Sequence, residues 1–263
     1  MRYPIGFIGL GNMAASLLEG WKNKNRPLNE FIGFDIKEER CRFIEDRFKL
    51  NIAKDISETS GSEIVIIAVK PQDAKNIVLT FSKDTLIVSI MAGVPIRRLE
   101  SFFPDSPIIR VMPNLLCSIN KSFIPFVANE RVDEDKKRLF IDWFGDFGSV
   151  SEVPEPYMSV MTALNGSGPG FVAYLMEGFI DGAVSEGLPY DTALKLTLSI
   201  FEGTADLLKK NVISPNSFRS SVTSPGGTTA RGIYALEKMG VKGALYDMIR
   251  LSNERAKELE AKD

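Results

Sequence analysis

A glycine-rich turn near the N-terminus constrains the fold of this chain more than any other feature. The segment Gly9–Ala14 (Gly-Leu-Gly-Asn-Met-Ala) follows the apolar run Ile5–Ile8 and precedes an amphipathic stretch. In such a segment the first glycine permits a tight turn, Gly11 lets a pyrophosphate approach the backbone, and Ala14 allows close helix packing. The pattern is weak on its own, but this context predicts a strand, turn and helix that bind a dinucleotide.

An acidic residue after the next apolar run supports this prediction. Asp35 stands about 20 residues beyond Ala14, where a carboxylate can accept both ribose hydroxyls of an adenosine. The same carboxylate repels the 2'-phosphate of NADPH, whereas Lys37 and Arg40 just beyond it can neutralise that phosphate. The residues therefore predict an NAD(P)H site and leave the choice between the two cofactors open.

The first half of the chain alternates short apolar runs with amphipathic stretches, which is typical of a doubly wound sheet. One amphipathic stretch, Lys37–Phe48, places apolar side chains on a single helix face. Beyond two prolines that flank Glu155 only helical patterns follow. We therefore expect an α/β chain: a Rossmann-like doubly wound sheet in residues 1–155, then an all-helical domain in residues 156–263. The predicted strands are Ile5–Gly9, Phe31–Asp35, Glu63–Val69, Thr85–Met91, Ile108–Met112 and Phe123–Val127.

Composition narrows the class of protein. Of the 263 residues, 44% are hydrophobic and 25% are charged, as in globular proteins. The net charge of -2 offers no attraction to a polyphosphate backbone, so we expect no nucleic-acid partner.

Only two cysteines are present and no signal peptide is evident, which favours the cytoplasm. The apolar stretch Met158–Ile180 is interrupted by polar residues and glycines, so we expect a buried helix and no membrane span.

The chain contains no histidine. This absence excludes a Ser-His-Asp triad, a histidine zinc site and any imidazole acid or base, and we expect no metal. The chemistry must use hydroxyls, carboxylates, lysines, backbone groups or a cofactor.

A second candidate site lies late in the chain, in the segment Ser224–Thr229 (Ser-Pro-Gly-Gly-Thr-Thr). Its paired glycines let the backbone approach a ligand, and a helix that begins here would direct free N–H groups at an anion such as a small carboxylate. Ser224 and Thr229 are also residue types that cap helices, so capping is an alternative reading of both.

The helices of the second half are apolar on more than one face. The stretch Phe171–Ile180 spans too wide an apolar arc for a helix with a solvated back. Burial against another subunit explains this arc, and the alternative is the central helix of a monomeric bundle.

Seven segments of the chain together form the pattern of one known family. They are Gly9–Ala14, Ala68–Gln72, Arg110–Asn114, Gly166–Pro169, Val222–Thr229, Ala235–Lys238 and Glu254–Leu259. In the order of these segments the chain resembles the pyrroline-5-carboxylate reductases over nearly its whole length. The resemblance implies reduction of 1-pyrroline-5-carboxylate to L-proline by NAD(P)H, the last step of proline biosynthesis. It also implies a helical C-terminal domain that interlocks with a second copy, giving a homodimer or a ring of dimers.

The resemblance also implies roles for individual residues. Thr229 is the catalytic candidate, because the matching threonine bonds the ring nitrogen of the substrate. The substrate-binding candidates, whose backbone N–H groups or side chains face the substrate, are Ser224, Gly226, Gly227, Thr228 and Glu155. Glu155 has an alternative reading as a solvated hinge carboxylate. The cofactor-binding candidates follow strand ends or precede helices: Ile8, Gly9, Leu10, Gly11, Asn12, Met13, Asp35, Asp55, Ala68, Val69, Lys70, Pro71, Met91 and Ala92.

This reaction needs no histidine. A protonated cyclic imine is already an electrophile, so positioning the imine carbon against the nicotinamide in a dry site supplies most of the rate.

Several residues depart from the family pattern. Asn165 and Gly170 replace serine and alanine, Leu115 and Leu116 replace Thr-Pro, Ser220 replaces an acidic residue, and Asp55 replaces an asparagine. Related hydroxyacid reductases are disfavoured, because they need a lysine in a helix where this chain has none from residue 165 to 186. A reductase of another cyclic imino acid, or a non-catalytic dinucleotide-binding paralogue, stays an alternative.

Overall fold

The structure, a computed structural model, describes residues 3–77 and 79–261. The chain divides into two compact units. The sheet unit comprises the chain up to Pro169 and from Ser252 onward, and the helical unit comprises Gly170–Leu251. The domain boundary near residue 155 stays a prediction.

The sheet unit contains one eight-stranded sheet, counted over the described residues, in the order β3-β2-β1-β4-β5-β6-β7-β8. Neighbouring strands are parallel except β6 and β7, which are antiparallel. The strands are β1 (Ile5–Ile8), β2 (Ile32–Phe34), β3 (Asn51–Ile52), β4 (Ile64–Ile67), β5 (Leu86–Ser89), β6 (Ile108–Val111), β7 (Ser122–Ala128) and β8 (Gly148–Glu152).

This sheet confirms the predicted fold class, although two strands escaped the sequence pattern. All six predicted strands are present, most of them shorter than predicted by a residue or more at their ends. The short strand β3 has only two residues, and β8 is a half-exposed edge strand of sequence Gly-Ser-Val-Ser-Glu. Neither contains an apolar run, so hydrophobic patterning could not reveal them.

The remaining elements are helical. Beyond Glu155 the described residues form helices and turns without any strand, which agrees with the prediction of a helical second half. The α-helices are α1 (Asn12–Asn23), α2 (Glu38–Phe48), α3 (Ile96–Phe102), α4 (Glu134–Phe144), α5 (Met158–Met161), α6 (Gly168–Ser185), α7 (Tyr190–Asn211), α8 (Pro215–Ser221), α9 (Thr228–Lys238) and α10 (Val241–Glu260).

Helices cover both faces of the sheet, which explains why its central strands are continuous apolar runs. Every residue of β1, β4 and β5 is buried. On one face Trp21 is fully buried, and its indole N–H donates to the Trp143 carbonyl at 2.8 Å. On the other face Leu99 and Phe103 pack against the sheet. These two layers hold the loops at the strand ends in place.

The helical unit by itself leaves many large apolar side chains exposed. Among them are Tyr174 at 75% and Phe179 at 54% exposure on α6, and Ile200 at 53% on α7. Among the described residues, no helix combines the length and apolarity needed to cross a membrane.

Candidate functional site

The strand register aligns four loops at one edge of the sheet. Ile8 of β1 lies opposite both Phe34 of β2 and Ile67 of β4, and Ile67 lies opposite Ser89 of β5. The carboxyl ends of these parallel strands therefore coincide, and the loops that follow them share the edge where such sheets bind ligands.

The glycine-rich turn has the geometry of a phosphate cradle. Gly9 has φ +98°, and a Cβ there would lie 2.7 Å from the carbonyl carbon of Ala68, so the loops after β1 and β4 are in close contact. Gly11 is the N-cap of α1 and no side chain caps the helix. In the described chain the N–H groups of residues 12–14 have no partner, since the first intrahelical bond runs from Ala15 to Gly11. These N–H groups suit an anion.

Asp35 ties the first two loops together. Its Oδ2 accepts the N–H of Leu10 at 2.7 Å, and its Oδ1 accepts the N–H of Lys37 at 2.9 Å. Each carboxylate oxygen keeps a second lone pair, so Asp35 is held where it can still accept ribose hydroxyls. Lys37 and Arg40 have no carboxylate partner within the described residues.

Asp55 has a structural function. It caps the 3₁₀ turn at residues 56–61, because its side chain accepts the N–H and the hydroxyl of Ser57 while Glu58 accepts the N–H of Asp55. These bonds from Ser57 lower the pKa of the Asp55 carboxyl. The capping box accounts for an acidic residue here, and a contact with the cofactor stays a prediction.

The other cofactor candidates differ in what they can offer a ligand. Ile8, Leu10 and Met91 are buried in the core, so only their backbone atoms are available. Lys70 is exposed at the start of the turn Pro71–Asn76 and has no carboxylate partner within the described part of the chain. Lys70 therefore offers a ligand a free positive charge at this edge, as Lys37 and Arg40 do.

A buried charge cluster lies at the same edge. Arg110 of β6 is only 2% exposed, and its two terminal nitrogens contact Glu155 Oε1 at 2.7 Å and Glu260 Oε1 at 2.5 Å. We call these three residues the Arg110 cluster. Glu155 Oε1 also accepts the N–H of Ile96 at 3.0 Å, whereas its Oε2 is buried without a partner in the described chain. Glu155 is thus an ion-paired residue, and a role toward substrate stays a prediction.

The sequence patterns above assign no function to Arg110 or Glu260. An arginine inside the apolar run 108–112 does indicate a buried ion pair, because a charged residue in a buried strand needs a partner. No pattern pointed to Glu260, since it lies 150 residues away in a helix with many exposed charges.

The late glycine pair forms the start of α9. Gly227 is the N-cap, no side chain caps the helix, and Gly226 has φ +72°. Residues 228–230 have N–H groups without a partner in the described chain, since the first helical bond runs from Arg231 to Gly227. The Thr229 hydroxyl also has no partner there. A turn of α9 thus presents three backbone donors and one hydroxyl.

One of the other departures from the family pattern, Asn165, has a structural function. Asn165 donates to the carbonyls of Met112 and Phe123 at 2.7 and 2.9 Å and so joins the ends of β6 and β7. Asn114 in turn donates to the Asn165 carbonyl at 3.0 Å. Leu115 and Leu116 lie on the surface, at 58% and 37% exposure, and nothing in the structure explains these two departures.

The described residues contain no cluster of acidic, cysteine or histidine side chains that could hold a metal ion. Both cysteines are buried and free. Burial raises the pKa of the Cys117 thiol to about 11. The thiol is therefore neutral and unsuited to nucleophilic chemistry at neutral pH.

Two family models match the chain. "Pyrroline-5-carboxylate reductase dimerisation" matches residues 155–259, and "NADP oxidoreductase coenzyme F420-dependent" matches residues 4–93. Among curated proteins, a pyrroline-5-carboxylate reductase of Synechocystis sp. is 35% identical and covers 100% of both chains. That of Methanosarcina acetivorans is 31% identical over 98% of both.

Solved structures agree with these matches. A pyrroline carboxylate reductase of Plasmodium falciparum with NADP bound has a TM-score of 0.88 at 27% identity over 98% of both chains. The enzyme of Streptococcus pyogenes has a TM-score of 0.89 at 29% identity, covering 97% of this chain and 98% of the other.

Proposed function

The chain belongs to the pyrroline-5-carboxylate reductase family, and we propose that it reduces 1-pyrroline-5-carboxylate to L-proline with NAD(P)H, the last step of proline biosynthesis. The observation that carries the proposal beyond family membership is the start of α9. There, backbone N–H groups of residues 228–230 and the Thr229 hydroxyl lie together without a partner in the described chain.

The residues at the sheet edge fit the cofactor. We propose that the free N–H groups of residues 12–14 hold its pyrophosphate and that Asp35 accepts its ribose hydroxyls. The loops at residues 68–71 and 91–92 complete the site, with Lys70 as the positive charge. When bound, the dinucleotide supplies a hydride.

The start of α9 fits the substrate. We propose that the N–H groups near Gly227 and Thr228 hold the carboxylate, and that Gly226 and Ser224 shape the turn. The Thr229 hydroxyl bonds the ring nitrogen. The imine arrives protonated, the hydride adds to its carbon, and the π electron pair becomes the nitrogen lone pair of proline. No protein acid is needed, which is consistent with a chain without histidine.

The dimerisation match supports a proposal for the assembly. We propose that residues 156–263 form a helical substrate-binding and dimerisation domain after a dinucleotide-binding domain in residues 1–155. The exposed apolar residues of α6 and α7 supply the interface of a homodimer, and dimers can associate further into a ring. We expect the enzyme in the cytoplasm.

Replacing the Thr229 hydroxyl by a methyl group tests the proposed catalytic site. We expect Thr229→Val to lower kcat about a hundredfold, because a positioned hydrogen bond to the reacting group contributes on this order. Thr192→Val, at an exposed position on α7, is the matched control and should keep wild-type rates. Wild-type kcat in Thr229→Val would refute the role of this hydroxyl.

A further inference from the structure

The Arg110 cluster joins three segments that are far apart in the sequence. Arg110 lies in β6, Glu155 lies in the linker after β8, and Glu260 ends α10. The guanidinium is almost fully buried, whereas the two carboxylates are about one quarter to one third exposed. The buried guanidinium of Arg110 therefore fixes the linker and the last turn of α10 to the carboxyl edge of the sheet.

Two further contacts connect this cluster to the loop after β5. Glu155 Oε1, which contacts Arg110, also accepts the N–H of Ile96 at the far end of that loop. Within the loop, a Cβ on Gly93 would lie 3.0 Å from the Leu259 Cβ, so the last turn of α10 packs directly on the loop backbone. The linker thus holds one end of the loop, and the last turn of α10 holds its middle.

The position of this loop gives the contacts a functional meaning. Ser89 lies opposite Arg110 in the sheet register, and the loop that follows Ser89 contains Met91 and Ala92, two proposed cofactor contacts. Met91 is 2% exposed, so its backbone is what the loop can present to a ligand. The conformation of that backbone depends on what holds the loop.

The arrangement of charges in the Arg110 cluster is not one that maximises the stability of the fold. Two carboxylates share one guanidinium, and Glu155 Oε2 is buried without a partner in the described chain. Buried ion pairs are weak sources of stability, and an unpaired buried oxygen detracts from it. A role in holding β6, the linker and the end of α10 in fixed relative positions explains this arrangement better than a gain in stability does.

We propose that Arg110 and Glu260 are positioning residues that, with Glu155, hold the loop of residues 91–95 in the conformation that receives NAD(P)H. This inference rests on the proposed function and assigns the C-terminal turn of the chain a part in cofactor binding. Neither residue touches the reacting atoms; both act through the loop backbone.

Glu260→Ala is the direct test, because it removes one carboxylate from the cluster and leaves the Arg110–Glu155 pair in place. Glu258→Ala, on the same turn but exposed and paired with Arg255, is the matched control. The readouts are the Kd for NADPH and NADH, from nucleotide fluorescence without substrate, and the separate kcat and KM values. We expect both Kd and the cofactor KM of Glu260→Ala to rise about fivefold, with kcat within about twofold of wild type. The control should not differ from wild type.

Leu259→Gly provides a second, independent variant. It removes the Leu259 Cβ that packs on Gly93 and keeps the ion pairs, so we expect the same rise in cofactor Kd. An unchanged cofactor Kd in both variants would overturn the inference. It would also be overturned if kcat fell only in proportion to the fraction of unfolded protein while the cofactor KM stayed unchanged. Because Kd is measured without turnover, an inactive wild-type protein that binds the cofactor would refute the proposed function and still leave this test valid.

Discussion

Two aspartates that follow strands of the sheet make different sets of hydrogen bonds. Asp35, after β2, accepts two backbone N–H groups from separate loops, and each of its carboxylate oxygens keeps a second lone pair. Asp55, after β3, forms a capping box with Glu58. Its bonds are therefore local, whereas those of Asp35 join the two loops of the proposed cofactor site.

The charge of Asp35 should affect cofactor choice. We expect Asp35→Asn to raise the ratio of kcat/KM for NADPH over NADH about tenfold, or about 1.4 kcal/mol, because repulsion of the 2'-phosphate disappears. Initial rates with each cofactor measure this ratio. Asp46→Asn, exposed on α2, is the control for a lost negative charge. An unchanged ratio in Asp35→Asn would contradict the assignment.

Titration of Cys117 should lower the free energy of unfolding at alkaline pH. Its folded pKa of about 11 lies above the ordinary value of 9.0. Between these values the unfolded chain releases the thiol proton and the folded chain keeps it, so the free energy of unfolding falls as pH rises, by about 1.4 kcal/mol per pH unit. Below pH 9 this contribution is constant.

Urea unfolding at pH 8 and pH 10.5 checks this sign. Wild type should lose more stability between the two pH values than Cys117→Ala does, by about 2 kcal/mol. Comparing the two proteins cancels the titration of lysines and tyrosines. Equal losses would show that the thiol titrates normally in the folded state.

At the scale of elements, two helix N-termini without side-chain caps define the proposed cofactor and substrate sites. Both α1 and α9 have a glycine as N-cap, and each leaves its first N–H groups without a partner in the described chain. A glycine N-cap is less favourable than serine or aspartate by only about a few tenths of a kcal/mol. The glycine caps therefore leave the donors free at a small loss of helix stability.

A side chain at Gly227 should disturb the substrate site. A Cβ there would lie 2.4 Å from Ser224 Oγ, so the Ser224 hydroxyl must rotate away, and 3.3 Å from the Ser224 carbonyl oxygen, which crowds the turn. We expect Gly227→Ala to lower kcat/KM for the imine at least about tenfold, because the added methyl group and the rotated hydroxyl disturb the donors to the carboxylate. Gly232→Ala, where a Cβ on the same helix meets nothing within 4 Å, should keep the activity. Equal activity of the two variants would contradict the proposed site.

Local patterns predicted much of this arrangement. Apolar runs identified β1, β2 and β4 to β7, and the glycine turn identified the start of α1. Each of these signals lies within a few neighbouring residues, so the sequence shows it directly. The polar edge strand β8 and the partner Glu260 could not be predicted. Their places depend on contacts across the folded chain, such as the 150-residue separation between Arg110 and Glu260.

At the scale of the whole molecule, the helical unit by itself does not bury its apolar side chains. Tyr174 and Phe179 on α6 and Ile200 on α7 are all more than half exposed. Exposed apolar surface of this extent is typical of a subunit interface. The match to a dimerisation family over residues 155–259 agrees with this interpretation.

Dimer formation should depend on α6. We expect wild type to sediment at twice the 29.1 kDa chain mass or a multiple of it, and Tyr174→Asp to sediment mainly as a monomer at micromolar concentration. Burying an unpaired carboxylate in an interface is strongly unfavourable, which gives the physical reason. Ile141→Asp, exposed on α4 outside the dimerisation match, is the control. A monomeric wild type would contradict the proposed assembly.

Turnover of a five-membered cyclic imino acid is the activity to measure first. The purified protein is incubated with racemic 1-pyrroline-5-carboxylate and either NADH or NADPH, and cofactor oxidation is measured together with proline by chiral chromatography. We expect one L-proline for each cofactor oxidised, and a lower kcat/KM for the six-membered analogue. The proposed function would be contradicted by no proline with either cofactor despite measurable cofactor binding, or by a preference for the six-membered ring.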